Sequence, residues 1–185
     1  REKGAFPRFN MNHYMQAPFI NGLDDETQLM ILKHGIRNSH LTSIAPTGTI
    51  SLCADNISSG IEPVFAYSQK RIVRMPEGDI EMAVDDYGVR VFNCRGKRAQ
   101  DVTVEEHLAV LACASKCVDS AVSKTCNVPS NTPWADFKNL YMEAWELGCK
   151  GLATYQVGGK RAGIIKSTDD DACRLDSETG RKECD

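Results

Sequence analysis

The sequence predicts an α/β fold, in which parallel strands are joined by helices. The main observation is the order helix, strand, helix, strand across residues 104–155, because strands connected by helical crossovers pair in parallel. A second observation is the β-prone run Leu41–Ala45, which breaks at Pro46 and leads into small and hydroxyl-bearing residues. So few strands do not close a barrel, and the residues by themselves predict an α/β layer.

Length and charge limit the possible functions. The chain has 185 residues, enough for one domain of ordinary size, and a formal net charge of −3. No strongly basic face is evident, which argues against duplex nucleic acid as a partner. No apolar run reaches the ~20 residues needed to cross a bilayer, and no secretory signal is visible. We therefore expect a cytoplasmic protein, and the initial Arg1 suggests that a preceding segment has been removed.

The eight cysteines are compatible with disulfides, a metal site or reduced thiols. Without a secretory signal, reduced thiols in the cytoplasm are favoured. No Cys-x-x-Cys motif occurs, and the nearest pair, Cys113 and Cys117, has the i,i+4 spacing of a helix. A zinc site on that pair would need ligands from elsewhere, so we expect two buried small apolar residues and no metal.

The N-terminal half begins with an aromatic-rich segment, residues 1–22, that has no sustained period and is predicted to be irregular. A short helix is predicted next, capped by Asp24 or Asp25 and ended by Gly35. Residues 64–98 are predicted to form a β-rich excursion on the outside of the domain. Its strand-like runs are Val64–Tyr67, Arg71–Arg74 and Val89–Phe92.

The clearest helix prediction runs from Val104 to about Ala121. Thr103 and Glu106 have the spacing of a capping box, and His107 lies outside the apolar stripe, so it is expected on the surface. A strand is predicted at Val122–Val128, and one of its faces is polar. That face carries Ser123, Thr125 and Asn127. Such a face needs polar surroundings; a barrel lumen holding a ribose would provide them, and so would an ordinary wet edge.

A further helix is predicted to begin with Thr132 as N-cap and Pro133 at its first position, and to end at Gly148. Its aromatic side chains recur at helical spacing and are expected in the core. They are Trp134, Phe137, Tyr141 and Trp145. Gly151–Tyr155 is predicted to be the final strand, and 158–163 a flexible basic loop.

The turn Pro46–Ser51 combines small side chains, hydroxyl groups and a glycine. Such a turn presents several N–H and hydroxyl groups to one oxyanion, and a helix starting there adds its unpaired N–H groups and its dipole. A phosphate or diphosphate is the ligand that this chemistry indicates. The turn lacks a Gly-Lys-Ser/Thr ending, so it is not the common mononucleotide P-loop. A Ser/Thr-rich connection without a ligand is the alternative.

Three blocks of sequence resemble the large catalytic chain of ribonucleotide reductases, in the order that the family has them. Arg37–Ser51, which ends Ala-Pro-Thr-Gly-Thr-Ile-Ser, and Ser59–Pro63 resemble its substrate-phosphate loop, in the form of the adenosylcobalamin-dependent class. Val118–Pro129, with Ser-Lys-Thr-Cys-Asn-Val-Pro, is similar to a late barrel strand, and Ala144–Tyr155 to the last helix and strand. The blocks cover most of residues 1–165.

The resemblance implies that residues 1–166 are the C-terminal portion of a ten-stranded α/β barrel, followed by an acidic, cysteine-containing mobile tail, residues 167–185. It implies part of a ribonucleoside-diphosphate reductase, which makes deoxyribonucleotides from ribonucleotides. In that family a thiyl radical, generated with adenosylcobalamin, abstracts the 3′ hydrogen, and a cysteine pair supplies electrons as the 2′-hydroxyl leaves as water. The implied partners are a ribonucleotide substrate, the N-terminal part of the catalytic chain and a thioredoxin-like reductant.

The resemblance assigns substrate-phosphate binding to one set of residues. They are Pro46, Thr47, Gly48, Thr49, Ile50 and Ser51. The Asn-x-Cys-x-Glu string that carries the family's radical cysteine does not occur, so the chain is not expected to be active alone. Cys173 and Cys184 only loosely resemble the C-terminal reducing pair, which the family spaces closely; exposed thiols without a redox role are the alternative. Tyr155 stands alone where radical-relay forms have two adjacent tyrosines, which agrees with a cofactor-generated radical.

Two other functions stay open from the sequence. A non-catalytic accessory or regulatory module with the same fold would explain the missing radical cysteine, although the intact turn 46–51 argues against it. A metal-binding domain built on the cysteines has little support from their spacings.

Overall fold

A computed structural model describes residues 1–156 and three short segments, 166–167, 173–175 and 182–184; at 71–75 and in these segments it describes the backbone alone. The basic loop predicted at 158–163 and most of the predicted mobile tail lie outside the described residues. Within the described ranges, no helix combines the length and the apolar character required to cross a membrane.

Four helices come first along the described chain, and helices and strands alternate only across residues 104–156. In order they are α1 (Met11–Met15), α2 (Pro18–Asn21), α3 (Asp25–His34), α4 (Gly48–Cys53), β1 (Ser68–Met75), β2 (Gly78–Asp85), α5 (Tyr87–Phe92), α6 (Val104–Lys116), β3 (Thr125–Val128), α7 (Trp134–Glu146), β4 (Ala153–Gln156), β5 (Lys166–Ser167), β6 (Cys173–Leu175) and β7 (Lys182–Cys184).

Parallel pairing agrees with the predicted α/β class. β3 and β4 pair in parallel, in register from Thr125 opposite Ala153, and α7 is the crossover between them. Just before β3, a parallel bridge joins Val122 to Ile44, in the segment that leads to the turn 46–51. Three segments therefore run in the same direction, and the first of them ends beside the residues that lead into β3.

The core lies where α6 and α7 pack against β3. Its buried members are Leu108, Cys126, Val128, Leu140 and Ala144. Along β3, buried Cys126 and Val128 alternate with half-buried Thr125 and Asn127, so the predicted two-faced strand is confirmed there. Burial of each large apolar side chain contributes about 1.5–3 kcal/mol, and the other face of β3 is left for polar groups.

α6 begins with the predicted capping box. The Thr103 hydroxyl accepts the Glu106 N–H at 3.2 Å, and the Glu106 carboxylate accepts the Thr103 N–H at 3.0 Å. The helix ends at Lys116, earlier than predicted, because the chain beyond it turns to make hydrogen bonds with residues 41–44.

The strand predicted at Val89–Phe92 is wrong, because these residues lie in helix α5. Asp86 caps that helix: its Oδ1 accepts the N–H groups of Gly88 at 2.9 Å and Val89 at 3.3 Å. The β-branched residues suit a strand, but their strand preference depends on context. A side-chain cap directly before them favours the helix.

The β-rich excursion is in fact one antiparallel hairpin, β1–β2, in register from Ser68 opposite Asp85 to Met75 opposite Gly78. The strand predicted at Arg71–Arg74 is confirmed as part of β1, whereas no strand forms at 64–67.

The N-terminal segment 1–22 is more regular than predicted, since it contains α1 and α2. Phe6, Phe9 and Tyr14 form a ring cluster with centroids 5.4–6.1 Å apart. α3 begins after Asp24, whose carboxylate caps it as predicted.

The prediction that the aromatic side chains of α7 lie in the core holds only for Phe137, which is half-buried and packs against the core. Tyr141 is 43% exposed. Trp134 and Trp145 are 75% and 71% exposed, whereas Leu140 and Ala144 are buried. The helical spacing identified a row of aromatic side chains along α7, but the adjacent row, which contains Leu140 and Ala144, packs against β3. α7 also begins one residue later than predicted, with Pro133 as its N-cap.

Candidate functional site

The turn that leads into α4 has an open helix start. Thr47 is left-handed, with φ 52° and ψ 26°, and is the N-cap of α4. The first intrahelical hydrogen bond runs from the Ser51 N–H to the Thr47 carbonyl at 2.8 Å. The amides of Gly48, Thr49 and Ile50 precede that bond, so they project from the start of the helix.

The hydroxyl groups of the turn differ in their availability. The Ser51 hydroxyl donates to the Gly48 carbonyl at 2.7 Å, so its proton is used inside the turn. The Thr47 hydroxyl accepts the Gly60 N–H at 2.7 Å and still has its own proton to donate. Thr49 is exposed. The donors that face outward are therefore the first-turn amides and the hydroxyls of Thr47 and Thr49.

Gly60 joins the turn to the second part of the first sequence block. Its φ is +57°, a conformation that favours glycine, and a Cβ there would lie 2.9 Å from the Ala45 carbonyl oxygen. Both the backbone conformation and the close approach therefore require glycine. The contact fixes the turn Ser59–Pro63 against the turn 46–51.

A cavity of about 510 Å³ lies beside the turn, in the size range of small-molecule sites. Its wall includes Ser51, Thr125, Asn127, Thr154 and Tyr155. Most of these residues stand on β3 and β4, so the polar face predicted for β3 borders a cavity.

One residue of the cavity wall has an unsatisfied acceptor. Gln69 is 7% exposed, and its Oε1 has no hydrogen-bond partner among the residues that the structure describes. A buried amide oxygen left in this state costs about 1–3 kcal/mol. Since Gln69 lines the cavity, a ligand hydroxyl or amino group there would supply the missing donor.

The sequence missed a buried ionic cluster behind the cavity. Lys124 is 3% exposed, and its Nζ donates to Glu62 Oε2 at 2.6 Å, to the Thr125 carbonyl at 2.7 Å and to His107 Nδ1 at 2.8 Å. All three ammonium protons are thus used. Glu62 also accepts the Thr125 N–H through Oε1. The sequence contained one sign of this cluster, because Lys124 lies within the strand that was predicted to be half-buried.

His107 was predicted on the surface, and this is wrong: it is 1% exposed. Burial lowers its pKa, and the Lys124 ammonium lowers it further, against the opposing effects of the Ala99 carbonyl and of Glu62 and Glu106. An ammonium can only donate, so Nδ1 is the acceptor and Nε2 carries the proton toward the Ala99 carbonyl at 3.4 Å. The imidazole is therefore neutral.

The cysteines do not form a metal centre in the described part of the chain, where no three His, Cys, Asp or Glu side chains are placed to hold an ion. Cys113 and Cys117 are exposed, so the prediction that both are buried is wrong. The Cys117 Sγ donates to the Cys113 carbonyl at 3.5 Å, one turn back in the chain.

The two tail cysteines are opposite each other in backbone register. β6 and β7 pair antiparallel, and Cys173 is the partner of Cys184. The backbone pairing thus brings together two positions that ten intervening residues separate in the sequence.

The fold and the turn define a class: an α/β protein with an open helix start beside a cavity that is lined by parallel strands. The family described as "Ribonucleotide reductase, barrel domain" matches residues 1–93 and 83–155. The chain belongs to the ribonucleotide reductase family.

The related proteins that follow are all named as vitamin B12-dependent members of the family. A vitamin B12-dependent ribonucleotide reductase of Rhodopirellula baltica is 29% identical, over 81% of this chain and 18% of its own length. A vitamin B12-dependent ribonucleoside-diphosphate reductase of Mycobacterium tuberculosis is 27% identical, over 90% and 25%. The corresponding enzyme of Thermoplasma acidophilum is 30% identical, over 72% and 21%. The chain thus spans a quarter or less of these three relatives.

A solved structure shares the fold. The crystal structure of a B12-dependent, class II ribonucleotide reductase superposes with a TM-score of 0.56 at 15% identity. The match covers 87% of this chain and 25% of that one. The described residues alone form three parallel segments, which correspond to part of that larger fold.

Proposed function

We propose that this chain is the substrate-phosphate-binding segment of a vitamin B12-dependent ribonucleoside-diphosphate reductase. The observation that carries this function is the turn Pro46–Ser51, whose first-turn amides are open and whose Ser51 lines the adjoining cavity together with polar groups of β3 and β4. The names of the relatives support the reaction class. The matching residues of the first sequence block support the assignment of the turn to the substrate phosphates.

The diphosphate would be held mainly by backbone groups. The N–H groups of Gly48, Thr49 and Ile50 and the hydroxyls of Thr47 and Thr49 are the donors, and each charge-assisted hydrogen bond contributes about 1.5–3 kcal/mol. Ser51 acts within the turn, through its bond to the Gly48 carbonyl. Pro46 lies between the segment that is bridged at Ile44 and the left-handed Thr47.

The ribose would occupy the adjoining cavity. Its hydroxyl groups are the donors that the buried Gln69 Oε1 lacks, and Asn127 and Thr154 add polar groups to the same wall. Binding in this position would give the unsatisfied acceptor a hydrogen bond. The ribose would therefore help the diphosphate to fix the orientation of the nucleotide.

Adenosylcobalamin would supply the radical chemistry when it is bound by the complete enzyme. The cavity in this chain has the size of a site for a sugar phosphate, not for a corrin with its nucleotide tail, so we assign no residue here to the cofactor. We further propose that the remaining N-terminal part contributes the radical cysteine and closes the ten-stranded barrel. On this basis the chain does not turn over alone.

Cys173 and Cys184 would act as the C-terminal reducing pair, recharged by a thioredoxin-like protein. Their register supports this role, because opposite residues of antiparallel strands have Cα atoms about 4.5–5.5 Å apart. That separation lies within the range of about 4.4–6.8 Å that a disulfide needs.

The proposed function can be tested by reconstitution. The chain is mixed with the remaining N-terminal part, adenosylcobalamin, a dithiol reductant and a ribonucleoside diphosphate, and the deoxyribonucleotide formed is measured. Gly48→Asp places a carboxylate among the phosphate donors, whereas Gly48→Asn is its uncharged counterpart. A Cβ at Gly48 meets nothing within 4 Å, so both variants should fold.

We expect product only from the mixture, and at least about tenfold less with Gly48→Asp than with Gly48→Asn, because a carboxylate repels the diphosphate at close range. A mixture that assembles but whose activity is the same with both variants would remove the turn from substrate binding. It would favour the non-catalytic accessory module instead.

A further inference from the structure

We propose that Lys124 is a positioning residue for the turn 46–51: through Glu62 and Gly60 it holds Thr47 in the conformation from which α4 begins. The role of that turn as a diphosphate site rests on the proposed function. The mechanical connection between Lys124 and the turn does not, since it is built from contacts within the chain.

The first link is the anchoring of Glu62. Its two carboxylate oxygens are held separately, Oε2 by the Lys124 ammonium and Oε1 by the Thr125 N–H. Lys124 directly precedes β3 and Thr125 is the first residue of that strand, and this stretch lies between residues 41–44 and β4 in the parallel arrangement. Glu62 is thereby fixed to the most buried strand, although its own backbone belongs to a surface turn.

The second link is the closed turn around Glu62. The Glu62 N–H donates to the Ser59 carbonyl at 3.0 Å, and the Ser58 hydroxyl donates to the Glu62 carbonyl at 2.7 Å. These bonds close residues 58–62 on themselves. A displacement of the Glu62 side chain therefore moves Gly60, which lies inside the closed turn.

The third link joins Gly60 to Thr47. The Gly60 N–H donates to the Thr47 hydroxyl at 2.7 Å, and Thr47 is left-handed with φ 52°. A left-handed β-branched residue is strained and persists only when its surroundings hold it. The Gly60 contact is the side-chain restraint on Thr47, and α4 begins at the next residue.

His107 makes the connection sensitive to pH. The groups that face its ring are Lys124, Glu62, Glu106 and the Ala99 carbonyl. Protonation of Nδ1 would replace the acceptor of the Lys124 ammonium by a second positive charge. Because the folded chain favours neutral His107, this support is complete above the ordinary histidine pKa of about 6.5 and is lost as the pH falls through the lowered pKa of the folded state.

The variants distinguish an effect of the Lys124 cluster on the turn from a general loss of stability. Lys124→Met removes the ammonium, and Lys116→Met removes an exposed lysine of α6 as a matched control. His107→Asn retains a side-chain oxygen near the position of Nδ1 but cannot titrate. The readouts on the full 185-residue chain are amide chemical shifts and hydrogen exchange without ligand, and affinity for inorganic pyrophosphate.

We expect Lys124→Met to speed exchange of the Gly60 amide and to weaken pyrophosphate binding, each about tenfold, as the loss of roughly one hydrogen bond implies. Lys116→Met should change neither. In the wild-type chain, the amide shifts of residues 47–51 should follow the titration of the His107 ring, and in His107→Asn they should become independent of pH.

Two results would overturn the positioning role. One is a folded Lys124→Met chain with wild-type exchange at Gly60 and wild-type shifts at 47–51. The other, which needs no variant, is a His107 ring that titrates in the wild-type chain without any response at 47–51. A wild-type chain that fails to bind pyrophosphate would count against the proposed function, whereas the ligand-free readouts still decide the role of Lys124.

Discussion

The Gly60 N–H donates to the Thr47 hydroxyl at 2.7 Å, across a separation of 13 residues. This contact brings together the two parts of the sequence block that resembles a substrate-phosphate loop. One turn contains the open start of α4, and the other donates the Gly60 N–H to the left-handed Thr47. The site is therefore a pair of turns and not a single loop.

Gly60→Ala should destabilise the chain. The substitution forces a left-handed alanine, at about 1–2 kcal/mol, and places a Cβ 2.9 Å from the Ala45 carbonyl oxygen. We expect the free energy of unfolding in urea to fall by about 1–3 kcal/mol. Gly48→Ala is the control, because a Cβ there meets nothing within 4 Å; an equal loss in both variants would contradict the account of Gly60.

Asp119→Ala should detach the strand segment that precedes the site. The Asp119 carboxylate accepts the N–H groups of Leu41 at 2.7 Å and Thr42 at 2.8 Å, and also the Thr42 hydroxyl at 3.0 Å. Loss of these charge-assisted bonds should lower the free energy of unfolding by about 2–3 kcal/mol. The exposed Glu143 of α7 provides the control, Glu143→Ala, which should be nearly neutral.

The contribution of Asp119 should also depend on pH. Burial alone would raise its pKa, but the hydrogen bonds from Thr42 and Leu41 outweigh that effect and hold the pKa below its ordinary value. The stabilisation is therefore complete above about pH 4 and is lost as the pH falls through the folded pKa. Urea unfolding at pH 7 and pH 3 should show the wild-type advantage over Asp119→Ala shrinking at the lower pH; a constant difference would show that the charge is not involved.

Cys126 should resist alkylation while the exposed thiols react. Burial raises its pKa to about 11, so almost no thiolate is present at pH 8. Cys53, Cys94, Cys113 and Cys117 are exposed. Mass spectrometry after iodoacetamide treatment of the native chain should show these four labelled and Cys126 unlabelled, with Cys126 reacting only after urea is added. Early labelling of Cys126 in the folded chain would contradict the packing of β3.

Cys173 and Cys184 should form a disulfide under mild oxidation, because their backbone positions are opposite in the β6–β7 pair. Non-reducing peptide mapping should find this link in preference to links with other thiols. Cys173→Ser should leave Cys184 reduced. Random pairing of Cys184 with several cysteines would remove the reducing-pair assignment.

Local interactions were the predictable part of this fold. The capping box of Thr103 and Glu106 lies within one turn of helix, so its spacing in sequence is also its geometry. The strand–helix–strand order also predicted the parallel pairing of β3 and β4, because consecutive strands joined by a helical crossover pair in parallel.

Contacts between distant residues were not predictable from patterns. His107 falls outside the apolar stripe of α6, and its burial depends on Lys124, 17 residues away, which in turn depends on Glu62, 62 residues before it. Hydrophobic periodicity does not indicate such a satisfied polar cluster. Similarly, Val89–Phe92 consists of residues that favour strands, but the Asp86 side chain caps a helix there.

The most direct test of the central claim is titration of the isotope-labelled chain with a ribonucleoside diphosphate, following the amide shifts of residues 46–51. We predict shifts concentrated at Gly48, Thr49 and Ile50, whose N–H groups are open at the start of α4. Gly48→Asp should abolish these shifts, and Gly48→Asn should retain them. A folded chain whose amides at 46–51 do not respond, or respond equally in both variants, would contradict the assignment of this turn to the substrate phosphates.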